Sequence, residues 1–204
     1  MSVITCRSNQ VRGARELSCK RPAEPFYNYV GGSSGAWVVT ALSTRRGDPL
    51  APVTHVDITH GTVDPVPAGV VWVMSGLVRS TRYVTREDLT RTDTPRPGMD
   101  APTQPCAALI AIRRSPDWWQ LGSGARREIQ QAQLRRTREF GFLSTFFRRW
   151  QRRVDLSEQF DRVIWFEYEP RDFAAFDELL AEWRASEDWK YLDRECDIRM
   201  VLSV

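Results

Sequence analysis

A chain of 204 residues with 42% hydrophobic content and eight tryptophans suits one domain with a real core, and is too apolar for a disordered polypeptide. No apolar run reaches membrane-spanning length, and the basic N-terminus lacks the apolar centre of a secretory leader. The net charge of +3 hides an uneven distribution: from Arg113 to Arg153 eleven arginines face only Asp117, Glu128 and Glu139, so this segment carries +8 and the remainder −5. Lys20 and Lys190 are the only lysines. Arginine suits planar anions such as carboxylates. Cys6, Cys19, Cys106 and Cys196 show no ligand-like spacing and read as reduced thiols of a cytoplasmic protein, with no metal site expected.

Residues 1–24 have no sustained period and predict a loosely ordered arm ahead of one domain over 25–204. PFYNYVGGSSGAWVVTAL (25–42) reads as strand, glycine-rich turn and strand. GGSSG lacks the Lys-Ser/Thr ending of a phosphate loop, and no helix signal follows it. Residues 43–67 read as a long loop with a short strand at HVDI; His55 and His60 lie here as ordinary loop histidines. VVWVMSGLVRSTRYVT (70–85) is β-prone, residues 90–105 form a Pro-rich connection, and CAALIAIRR (106–114) is another strand. Ser115 then predicts an N-cap, with Pro116 at the first helical position.

FLSTFFRRW (142–150) reads as helix or strand; as a strand, Phe142, Ser144, Phe146, Arg148 and Trp150 share a face. DRVIWFEYE (161–169) is a clear strand. Ile164, Phe166 and Tyr168 point one way; Val163, Trp165 and Glu167 point the other. A helix from about Arg171 carries the stripe Phe173, Phe176, Leu179, Leu180 and Trp183, and 191–202 is the closing strand. The order predicts an α+β fold, an antiparallel sheet with helices on one face. Val163 and Trp165 on the other face call for a closed barrel or a partner subunit.

Between these elements, ARREIQQAQLRRTREFGFLSTFFRRW (125–150) sets the functional question. Ala125, Ile129, Ala132 and Phe140 fall on one helical stripe, and Arg136 sits in the middle of it, seven residues after Ile129. A guanidinium on an apolar face needs either a partner or a route back to water.

The segments VGGSSGAWVV, GLVRSTRYVTR, CAALIAIRRSPDWW followed by ARREI, FDRVIWFEYEP, and AAFDELLAEWRASEDWKYLDRECDIR occur in an order that resembles the short-chain branch of the chlorite dismutase family, over roughly residues 26–202. The resemblance implies a ferredoxin-like dimeric α/β barrel, a homodimer, and haem b held between sheet and helices for conversion of chlorite to chloride and dioxygen. It also implies a proximal histidine late in the helix that begins near ARREI. The matching position here is Arg136, or Arg135 with a one-residue slip. Arginine stays protonated and has no lone pair for a metal. By the same resemblance Arg148 matches the distal arginine that holds the anionic substrate. Glu167 matches the carboxylate that hydrogen-bonds the axial histidine, and Trp118 and Trp119 match tryptophans near the pocket.

This pattern predicts an ancestral haem pocket without its axial base. Arg136 would pair with Glu167, Arg148 would hold an anion, and Arg113, Arg114, Trp118, Trp119, Trp165 and Phe146 would line the pocket. The expected ligand is an anionic small molecule, bound or transformed without haem, and genuine chlorite dismutase activity is not expected. The alternative is a haem b oxidoreductase with a non-histidine or open axial position. Nucleic acid is not an expected partner: phenylalanines beside arginines in such a barrel more often build a core than a stacking platform.

Overall fold

The computed structural model describes residues 26–61, 66–77, 102–139, 144–149 and 160–203, with side chains over 27–61, 66–75, 102–133 and 160–203. The arm expected at 1–24 lies outside the described residues. Among the described residues there are eight strands: β1 (Phe26–Gly32), β2 (Trp37–Arg46), β3 (His55–His60), β4 (Val70–Leu77), β5 (Cys106–Arg114), β6 (Ser144–Arg149), β7 (Arg162–Tyr168) and β8 (Leu192–Leu202). Among the described residues the helices are α1 (Pro116–Gln120), α2 (Ser123–Glu139), α3 (Phe173–Ala185) and α4 (Glu187–Lys190). Every strand pairing is antiparallel, and the sheet closes on itself in the order β1-β3-β2-β8-β5-β7-β6-β4.

Closure answers the question posed by Val163 and Trp165. Both are buried inside the barrel with Tyr29, Trp37, Val56, Trp72, Met74, Leu109 and Ile198. Trp165 lies between Tyr29, stacked at 5.6 Å, and Trp37, edge-on at 5.2 Å. Alternate residues of the same strands face outward: Ile110, Ile112, Ile164, Phe166 and Tyr168 pack under Phe176, Leu179, Leu180 and Trp183 of α3. The two predicted faces of β7 therefore serve two separate cores. Near one end of β1, a Cβ on Gly31 would stand 2.3 Å from the Trp72 ring, so only glycine lets that indole lie against the strand.

Several local expectations need correction. Residues 43–67 hold more strand than their prolines suggest: β2 continues to Arg46, and β3 pairs with β1 along its full length. That pairing is non-local and leaves no mark in the short-range pattern. FLSTFFRRW is strand over its described part. Ser115 stands at the N-cap of α1, but its side chain makes no capping bond; its backbone N–H instead donates to Tyr191 O at 2.8 Å. Phe173, placed on the apolar stripe of α3, is 50% exposed at the first turn.

The outer face also carries a buried ion network. Arg184 reaches Glu195 and Asp197 at 2.7 and 2.9 Å, and Arg199 reaches Asp197 and Asp177 at 2.6 and 2.8 Å. Burial by itself would push the Asp197 carboxyl up, but the guanidinium groups of Arg199 and Arg184 outweigh it and hold the group below the ordinary carboxylate range. A depressed carboxyl contributes stability above its unfolded value and loses that contribution as pH falls through its folded value. Urea midpoints are therefore expected to fall below about pH 4. Asp197→Asn, less stable at neutral pH by about 1–3 kcal/mol because it leaves the half-buried guanidinium groups of Arg184 and Arg199 with one carboxylate each, should show a flatter acid limb; an unchanged acid limb in that variant would contradict the assignment. In the core above it, Leu180→Ala is expected to cost about 2–5 kcal/mol, read from the same denaturation curves.

Candidate functional site

The candidate site is built on the inner wall formed by β5, β7 and β6. Register sets three rows across it: Ala107, Glu167 and Ser144; Leu109, Trp165 and Phe146; Ala111, Val163 and Arg148. The expected residues Glu167, Trp165, Phe146 and Arg148 thus occupy successive register positions on one wall. The side chains of Phe146 and Arg148 lie outside the described residues. Glu167 is only 3% exposed, and its neighbours across the strands are small. One carboxylate oxygen accepts the Trp165 indole N–H at 2.9 Å. The other accepts the backbone N–H of Thr103 at 2.7 Å and the Thr103 hydroxyl at 2.5 Å. Both oxygens of this buried anion are therefore engaged by donors from its own chain.

The other expected pocket residues are not brought to this wall. Arg114 continues the outward series of β5. Its guanidinium meets the Asp188 carboxylate at 2.9 and 2.8 Å and the Asp188 carbonyl at 2.7 Å, and it lies 4.1 Å over the ring of buried Trp118. This assembly ties β5 to α1 and α4, so the Arg114 charge is neutralised inside the protein and not presented at a pocket mouth. Arg113, half-buried, pairs with Asp193 at 2.8 Å. Trp119 is 54% exposed beside Arg126. Asp161 accepts the Arg114 backbone N–H at 2.6 Å; burial raises its carboxyl above the ordinary range, and the bond from Arg114 only partly opposes this.

No protein-family model and no curated protein matches the sequence. Solved structures do. The dimeric chlorite dismutase of Nitrobacter winogradskyi matches with a TM-score of 0.71 at 28% identity, covering 87% of this chain and 99% of that one. The chain is chlorite dismutase-like. Two structures of the Candidatus Nitrospira defluvii enzyme share the fold at 11% identity: a variant in complex with cyanide has a TM-score of 0.61 and covers 90% of this chain and 92% of its own. The imidazole complex has a TM-score of 0.59, with 88% and 92% covered.

In this chlorite dismutase-like chain, α2 differs from its predicted face. Ala125 and Ala132 are exposed and Ile129 is half-buried, whereas Gln133 is 4% exposed and Arg126 and Gln130 are half-buried. The inward face is thus polar and rotated away from the alanines, because the helix runs beside α4 rather than lying flat on the apolar sheet. Arg136 shares the flank of Ile129, seven residues on; its side chain, like that of Arg135, lies outside the described residues. The expected pair of Arg136 with Glu167 therefore lies outside the described residues.

By the resemblance, a haem iron would take an axial nitrogen from late in α2, and neither candidate position, Arg135 or Arg136, offers a lone pair. The carboxylate that the resemblance matches to the partner of an axial imidazole accepts from Thr103 on one oxygen and from Trp165 on the other. Both histidines stand at the ends of β3, with His60 against Tyr27 at 4.1 Å. Among the described residues no group of three His, Cys, Asp or Glu could hold a metal ion.

Sequence reading missed Thr103 and Asp188. Thr103 sits in an aperiodic, Pro-rich connection, and Asp188 in a four-residue helix too short to show a period. Because Arg114 and Asp188 are paired out of water, Asp188→Ala should destabilise by about 3–5 kcal/mol and quench-shift the Trp118 fluorescence; a thermal midpoint within error of wild type would refute the pairing.

Proposed function

We propose that this chlorite dismutase-like protein binds an anionic small molecule at the β6–β7 wall without an iron-ligated haem. Support comes chiefly from Glu167: the carboxylate expected to serve an axial base has both oxygens engaged by Thr103 and Trp165, while the axial positions carry arginine. Arg148 stands two register steps from Glu167 along the same wall and is the group proposed to hold the anion, its planar fork matching a carboxylate or an oxyanion. Arg136 contributes positive charge from α2.

The Nitrobacter winogradskyi relative is dimeric, and a homodimer is proposed here too. A cytoplasmic location is consistent with Cys106 and Cys196 being free thiols, and no described helix is long and apolar enough to cross a membrane.

Protein produced with haem supplied is expected to be colourless after dialysis; a stoichiometric Soret band would overturn the haem-free reading in favour of a haem oxidoreductase. Benzoate and nitrite, titrated against tryptophan fluorescence, serve as anionic probes. Arg148→Ala should weaken the better probe by about tenfold or more, the scale of one lost charged hydrogen bond; equal affinity in the two proteins would remove Arg148 from the site. Sedimentation should return twice the 23.5 kDa chain mass.

A further inference from the structure

We infer that Thr103 is a positioning residue that holds the Glu167 carboxylate, fixing it and the Trp165 indole and fastening the strap 102–105 across the rim of the wall. This rests on the proposed reading of that wall as the ligand site. Three observations converge on it. Glu167 is a buried anion, which must be matched by donors. Its immediate cross-strand neighbours, Ala107 and the position of Ser144, leave the carboxylate within reach from the rim. The strap meets it there with two donors on one oxygen, the Thr103 N–H at 2.7 Å and the hydroxyl at 2.5 Å.

The strap lies outside regular structure. Its other described backbone anchor is the bond from Leu202 N to Pro105 O at 2.9 Å. Thr103 therefore does two things at once. It holds one oxygen of the Glu167 carboxylate at the rim. It also locks the indole that stacks on Tyr29 and meets Trp37, which sets the shape of the wall beside Arg148. A carboxylate held by an indole and a threonine is a fixed boundary of the site, whereas one facing an imidazole would tune that ligand.

Amide hydrogen exchange on the full chain tests this without reference to activity. The Thr103 amide should be protected in wild type and exchange at least about tenfold faster in Glu167→Ala, as expected for loss of a hydrogen bond to a charged group. If that variant does not fold, Thr103→Val reads the same contact: removing the hydroxyl should speed exchange at position 103 several-fold and shift tryptophan emission. Unchanged exchange and emission would overturn the inference. A Soret band in wild type would defeat the haem-free reading alone, leaving the Thr103 contact to be decided by exchange.

Discussion

Burial of β7 on both faces is the constraint from which the architecture follows. Its outward residues form the floor under α3, and its inward residues form the wall of a closed barrel. β5 and β6 pair with it on either side, so it has no free edge either. Each polar group on it must then find a partner without water. Glu167 is where that requirement is sharpest, because a charge is placed among aromatic and aliphatic side chains.

The two faces solve their electrostatic problems differently. On the outside, charges come in matched sets: Arg184 and Arg199 share Asp197, and Arg114 takes Asp188. These sets join sheet to helix and fix the seating of α3 and α4. Inside, the anion Glu167 is met by neutral donors, Thr103 and Trp165. Among the described residues, its donors are neutral, and they stabilise the carboxylate by hydrogen bonds alone.

The strap at 102–105 meets the same requirement from outside the sheet. A residue with an N–H and a hydroxyl on one edge brings two donors to one oxygen of Glu167 without any change to the barrel.

Much of this was legible in the residues themselves. Alternation along DRVIWFEYE assigned both faces of β7, the spacing of Phe176, Leu179, Leu180 and Trp183 assigned the buried face of α3, and the resemblance placed Glu167 and Arg148 together. The two face assignments succeed because period and burial are local and strong signals. The face of α2 did not follow its apolar stripe, since alanines give little burial energy and the packing of α4 decided the rotation. Arg113, Arg114 and Trp118 look alike from sequence as a cationic aromatic cluster; only the strand phase at the end of β5 sends Arg114 to Asp188 on the outer face. Thr103 could not have been found from its neighbours, because its partner lies sixty-four residues away and the contact exists only once the barrel has closed.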